Sequence, residues 1–403
     1  FLLSNFEALV ATQGLGKNSS QVTKACLRLC EAFVEAQACF ASEPSHAAAL
    51  CAHCARVISV YKETGRGVLP PSAAESVNSS ANSLRAEQTR EAYKEVKALL
   101  RILTHVSSVD AESDEGDAAY AAEAVERGGS VRGGSARGGG AFAGVFGPGS
   151  GSGFANGPAV LVSGGVALPT DRQAALNDVV DVAAVVLAGL HAVIPLLTEE
   201  LLKFPKLCHQ YFSLLAHMFE AYPGKVAALD HETFATLMRT LEFGLTHSDV
   251  DIGRESFAAL SALAAFHHQE VQRVGATGGL GAHNAPKNVS DEKFNEGGIL
   301  ARFLRLSLNR LLFEDASVSL AEPAADALLP LILSERSAFE RVANDLIVSL
   351  AGDERAQRAV SDAIRDLTAN GGLTDRVDRA NRRRFRRNVS AFVLETRAFV
   401  RKN

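Results

Sequence analysis

The chain has no tryptophan, only two methionines and only five tyrosines in 403 residues. That scarcity fits closely packed, alanine-rich helices better than an aromatic ligand site. No apolar run approaches the roughly 18 residues needed to span a bilayer, so no membrane partner is expected. No signal-peptide pattern opens the chain. Sustained period-two alternation is missing too, which predicts no sheet. Also lacking are a nucleotide motif, a Ser/His/Asp set and paired carboxylates in a helical context. No enzyme activity and no cofactor are therefore expected. The six cysteines, five of them between Cys26 and Cys54, fall inside helical patterns and read as reduced thiols of a nucleocytoplasmic protein. The Asn-x-Ser matches at Asn18, Asn78, Asn288 and Asn388 are then chance. The chain starts on Phe1-Leu2-Leu3 without a methionine and reads as the remainder of a longer protein.

The net charge of -5 carries no global nucleic-acid signature. It is unevenly spread. Residues 376–402 hold ten Arg or Lys against Asp378 and Glu395, a local surplus of eight, which leaves -13 for the rest. Such asymmetry suits electrostatic recognition of proteins, and equally a solvated helix.

What is present almost everywhere is helical periodicity. Apolar residues at spacings of three and four mark stripes at Val22, Cys26, Leu29 and Phe33, at Leu50, Cys54, Val57 and Tyr61, and at Leu207, Tyr211, Leu214 and Met218. Phe234, Leu237, Met238, Leu241 and Leu245 form another, as do Val389, Phe392, Val393 and Val400. Asp230 and Ser248-Asp249 are predicted N-caps. Pro323 predicts a late start or a kink in the helix around it. From Lys206 to Phe266, three helices of about 15 to 17 residues with short links predict antiparallel neighbours. Recurrence of such pairs every 40 to 47 residues or so is the pattern of HEAT and armadillo hairpins. The expected fold is an all-α solenoid of HEAT/armadillo-like hairpin repeats, with a non-repetitive helical bundle as the alternative.

Two segments break the pattern. The predicted organisation is helical repeats over 1–106, an insert over 107–170, repeats over 171–273, a Gly-rich loop over 274–290 and C-terminal repeats over 291–403. The longer insert opens acidic and then holds 15 of the 33 glycines between Arg127 and Gly165, a composition expected to be disordered. Both inserts are expected to be extruded from the stack.

Several clusters invite chemistry. Cys51-Ala-His-Cys54 lacks the second pair zinc needs and the strand a redox motif needs, so core thiols are expected. His267-His268 is read as ending a helix, where the dipole accounts for it, and no metal is expected. Gly275 to Gly281 lacks the Gly-Lys-Ser/Thr ending of a phosphate loop. The Arg-Gly-Gly elements at Arg127, Arg132 and Arg137 have few aromatic neighbours, so nucleic acid is not an expected partner. The strongest cluster is Arg382, Arg383, Arg384, Arg386 and Arg387, around Phe385. It leads into an amphipathic helix expected over Val389 to Val400, at whose start cations oppose the macrodipole. That favours a partner-binding or nuclear-localisation role for these five arginines; a solvated helix edge is the plainer reading.

Leu201-Leu202-Lys203-Phe204-Pro205-Lys206-Leu207-Cys208-His209-Gln210-Tyr211-Phe212 resembles a segment of the export receptors in the importin-β (karyopherin-β) family. Ile194-Pro195-Leu196 before it, and Leu237-Met238, Leu241-Glu242 and Gly244 after it, fall where similar residues occur. Phe33-Val34-Glu35 and Val60-Tyr61-Lys62 resemble the family more faintly. Ala258, in Phe257-Ala258-Ala259-Leu260, departs from an acidic family position. The resemblance implies a HEAT superhelix that binds cargo together with Ran-GTP in the nucleus, passes Phe-Gly nucleoporins at the pore and shuttles to the cytoplasm. It implies that GTP hydrolysis belongs to Ran. Cargoes implied are the hypusine-bearing translation factor 5A and Smad-type proteins, with import of Sox-type factors. The main Ran-binding repeats of such receptors are N-terminal, so no Ran or cargo contact is carried over. The competing function is a helical-repeat scaffold or adaptor without Ran dependence.

Overall fold

The computed structural model describes residues 20–38, 44–63, 85–107, 182–275, 277–285, 297–314, 317–368 and 372–400. The helices are α1 (Ser20–Ala38), α2 (Pro44–Glu63), α3 (85–107), α4 (Val182–Val193), α5 (Glu199–Leu202), α6 (Pro205–Ala221) and α7 (Pro223–Ala227). They continue with α8 (His231–Thr246), α9 (Val250–Val274), α10 (Ile299–Phe313), α11 (Ser317–Ser334), α12 (Arg336–Ser349), α13 (Glu354–Leu367) and α14 (Arg379–Val400). Among the described residues there is no strand.

Two layers of helices make the stack. α6, α9, α11 and α14 lie side by side in one layer, with α9 packed along α6 on one flank and α11 on the other. α8, α10 and α12 succeed one another in the second layer, and α8 and α10 each pack against the helix that follows. α13 bridges α12 and α14. The chain is therefore an all-α solenoid of helical hairpins. One continuous apolar core runs from Leu27 to Phe392, with a small satellite of Leu350, Ala356 and Val360.

The local chemistry explains the joints. The Asp230 carboxylate accepts from the N–H groups of Glu232 and Thr233, both at 3.0 Å, and so starts α8. Asp249 accepts from Asp251 N–H at 2.9 Å and starts α9. Such caps contribute about 1 kcal/mol each. Gly244 lets α8 approach its neighbours: a Cβ there would collide with the Phe212 ring of α6 and with Ser256 Oγ of α9.

Several expectations need correction. Leu29 is 63% exposed, and the buried stripe of α1 is Leu27, Cys30 and Val34. α9 continues for 25 residues, so His267 and His268 lie within it, buried, rather than at its end. α11 does not start late: it begins at Ser317, and Pro323 and Pro330 are both internal. An internal proline costs about 3 kcal/mol, partly because the carbonyl four residues earlier loses its donor. For Pro330 that carbonyl is Asp326 O, and Ser261 Oγ of α9 donates to it at 2.9 Å. Burial of Leu320, Leu328, Leu329 and Leu331 holds the remainder of the helix in place.

The Gly-rich loop is not extruded where it is described. Leu280 is buried, and its N–H donates to His267 Nδ1 at 3.1 Å. His283 stacks on Phe234 of α8 at 4.1 Å. Asn284 accepts from Leu300 N–H at 3.0 Å, capping α10, whose own N-cap Gly298 has no side chain to do so. Gly279 takes φ +62° where a Cβ would run into His267, which is why glycine stands there. The 107–170 insert, beyond residue 107, lies outside the described residues.

Candidate partner-binding face

The five arginines singled out from the sequence lie on α14, and its periodicity sorts them. Asn381, Phe385, Val389, Phe392 and Thr396, at spacings of four, four, three and four, are the buried stripe. Phe385, Val389 and Phe392 contribute about 1.5–3 kcal/mol each by burial. Arg382, Arg384 and Arg386 flank that stripe, while Arg383 and Arg387 point away from it and are exposed.

The flanking three are occupied within the chain. Arg386 Nε and Nη2 form a fork with the Asp326 carboxylate of α11 at 2.8 and 2.5 Å, and Nη1 also meets Glu322. Hydrogen bonding to Asp326, with the charges of Asp326 and Glu322, raises the Arg386 pKa above its usual range. Arg382 Nη1 donates to Ser261 Oγ at 3.0 Å and reaches Asp326 O at 3.4 Å, the same carbonyl that Pro330 leaves without a helical donor. Arg384 donates to Gly372 O. These bonds fix the start of α14 against α9 and α11.

Asn381 completes the anchorage. Buried to 2% exposure, its amide donates to Thr374 O at 2.8 Å and Arg376 O at 2.7 Å, and its carbonyl oxygen accepts from Thr374 N–H. The segment before α14 is held from outside as well: His268 Nε2 meets Asp375 O at 2.8 Å, and Arg336 pairs with the Asp375 carboxylate. No sequence signal marked Asn381 or His268 for this work, because their partners are 5 to 107 residues away.

Arg383 and Arg387 make no hydrogen bond or ion pair among the described residues. Arg379, one turn before Arg383, shares their outward face and lacks a partner in the same sense; the sequence reading had missed it. Leu394, 77% exposed, continues the face toward the C-terminus. Beside α14, an apolar groove of about 230 Å³ lies between α10, α12, α13 and α14, walled by Leu308, Leu312, Phe339, Leu346 and Phe392.

The other sequence candidates fall elsewhere. Cys51 and Cys54 are core residues with no exposure. A hydrogen bond to Cys30, together with burial, pushes the Cys54 thiol well above its ordinary pKa, which leaves it a poor nucleophile. His209, Asp249 and Asp251 could each turn one ligand atom to within 4.8 Å of the others. Both carboxylates already have work: Asp249 caps α9, and Asp251 pairs with Arg254 at 2.6 Å. The three Arg-Gly-Gly elements lie outside the described residues.

The fold and this face define a class: a helical-hairpin solenoid whose last described helix, α14, carries a charged outward face. Comparison with protein families matches residues 168–403 to Exportin-4, a span that contains α4 to α14. The chain belongs to the Exportin-4 family. Among curated proteins it is similar to Exportin-7-B and Exportin-7-A of Xenopus laevis, at 25% identity over 204 residues. That alignment covers 49% of this chain and 18% of each relative.

Proposed function

We propose that this chain is part of a nuclear export receptor that binds cargo protein cooperatively with Ran-GTP and carries it through the pore. The observation that supports the reading best is the coincidence of the Exportin-4 match with the two-layer stack: the matched residues 168–403 hold α6 through α14. A helical-repeat stack contacts only its neighbours, so small rotations between hairpins add up to a change of curvature. Ran-GTP and cargo that select the same curvature favour each other, typically by about 1 to 3 kcal/mol. Cargo by resemblance is the hypusine-bearing translation factor 5A or a Smad-type protein, and Phe-Gly nucleoporins serve transit between nucleus and cytoplasm. The receptor catalyses nothing; Ran hydrolyses the nucleotide. Of the five arginines, Arg383 and Arg387 are free to meet a partner, while Arg382, Arg384 and Arg386 hold the helix that carries them.

The test is cargo affinity of the full-length receptor with Ran bound to a non-hydrolysable GTP analogue, with Ran-GDP and without Ran. The reading requires cargo to bind about 5- to 150-fold more tightly with the GTP form. Equal affinity in all three conditions contradicts it.

A further inference from the structure

We propose that the outward ridge of α14, formed by Arg379, Arg383, Arg387 and Leu394, docks an acidic amphipathic helix of a partner protein. This deepens the partner-binding role given above to Arg383 and Arg387 and rests on that role, not on Ran dependence.

Geometry carries the argument. Successive arginines are four residues apart, which places them about 6 Å apart along one helix face. That face lies opposite the stripe Asn381, Phe385, Val389, Phe392 and Thr396, so it turns away from the core. Arg379, in the first turn, opposes the helix macrodipole. The neighbouring Arg382, Arg384 and Arg386 are all engaged by Asp326, Glu322, Ser261 or Gly372, yet none of the three outward guanidinium groups makes an ion pair among the described residues. Nothing described within the fold uses them.

Charge alone would suit a nucleic acid or an anionic membrane. Leu394 decides for protein. Leu394 is the most exposed large apolar side chain among the described residues, and it stands seven residues beyond Arg387 on the same face. A phosphate backbone has no use for it there. Glu395 is exposed beside Leu394, and Glu322 and Asp326 lie along the α11 side of the ridge. Glu322 and Asp326 are already paired with Arg386, and one exposed leucine is too little apolar surface to anchor a bilayer but enough to fill a pocket on a partner helix. A helix with Glu or Asp at i, i+4 and i+8 and an apolar residue about two turns further on matches the ridge in charge and spacing.

The test is fluorescence anisotropy with the 403-residue chain and defined probes. One is a helical peptide of about 22 residues with three glutamates at four-residue spacing and a leucine seven residues beyond the third, made in both sequence directions. The others are a scrambled peptide of the same composition, a single-stranded RNA of about 20 nucleotides and phosphatidylserine vesicles. The patterned peptide should bind at least about fivefold more tightly than the scrambled one. Raising salt from about 50 to 200 mM should weaken it severalfold, as screening requires. Arg383→Glu with Arg387→Glu should weaken it about tenfold, the neutral pair Arg383→Gln and Arg387→Gln somewhat less, and Leu394→Ser about threefold. Because these side chains point outward, denaturation midpoints should not move. Equal binding of patterned and scrambled peptides, no loss in the charge-reversed pair, or tighter binding of RNA or vesicles overturns the proposal. The cargo assay with Ran stands apart: loss of peptide docking with Ran-stimulated cargo binding intact sinks only this inference, and the reverse result sinks only the transport reading.

Discussion

α9 and α12 carry apolar residues at the same helical spacing, yet one is interior and the other is margin. α9 buries Ile252, Phe257, Leu260 and Leu263 completely or nearly so, because α6 and α11 cover both its flanks. α12 buries only Ala338, Phe339 and Ala343; Leu346 and Ile347 are half-covered and Val348 is 67% exposed. The pattern that makes a helix amphipathic does not say how many neighbours will cover it. In a stack, that number is set by position. The centre is locked on two sides, while the C-terminal margin is covered more thinly and keeps its own small buried cluster of Leu350, Ala356 and Val360. α14 joins the two regimes, with one side fastened to α9 and α11 and the other left open.

The largest effect should come from truncating the centre and the margin in parallel. Phe257→Ala should cost about 3–5 kcal/mol in chemical denaturation, while Val348→Ala should change stability by less than about 0.5 kcal/mol. Similar losses at both sites would break the distinction. Next, the two sides of α14 can be compared by the same measurement. Arg386→Ala, which removes a carboxylate fork, should cost about 1–2 kcal/mol, and Arg383→Ala should stay within about 0.5 kcal/mol of the parent.

A finer test lies where α9, α11 and α14 meet. Ser261→Ala should cost about 1 kcal/mol, because Asp326 O has no helical donor across from Pro330. In a Pro330→Ala background that carbonyl regains an N–H from its own helix, so the cost of Ser261→Ala should fall to about half; an unchanged cost in this double-mutant cycle removes the explanation. The smallest effect is on pH. Burial, with the neighbouring His268 charge, lowers the His267 pKa below 6.5. The unfolded chain therefore takes up this proton first as pH falls. The stability held by the neutral imidazole and its Leu280 N–H bond is complete above pH 6.5 and declines below it toward the folded-state pKa. His267→Gln should flatten that part of the pH-dependence; an unaltered slope assigns it to other groups.

Much of this architecture was legible in the residues. The stripes of α2, α6 and α8 point inward as their spacing implies, and Asp230 and Asp249 cap as their positions suggest. The family resemblance drawn on Leu201 to Phe212 and on Gly244 lies within the span matched to Exportin-4. What escaped the sequence was non-local. Leu29 belongs to a valid helical period but falls on the face that no neighbour covers. Asn284 caps a helix that begins fifteen residues later, and Pro330 is tolerated because a serine and an arginine on two other helices serve the freed carbonyl. The arginine cluster was visible as charge. Its division into three fastening and two outward residues depends on where Asp326, Glu322 and Gly372 lie in space, and so does the recruitment of Arg379 and Leu394 to the outward face.

Arginine footprinting with a dicarbonyl reagent on the native chain, read by mass spectrometry at each site, tests that division most directly. Arg379, Arg383 and Arg387 should be modified rapidly, Arg382 and Arg386 several times more slowly, and the buried Arg310 slowest of all. Equal rates at Arg382, Arg383, Arg386 and Arg387 would mean that α14 is not fastened through one side, and the docking ridge on its other side would lose its basis.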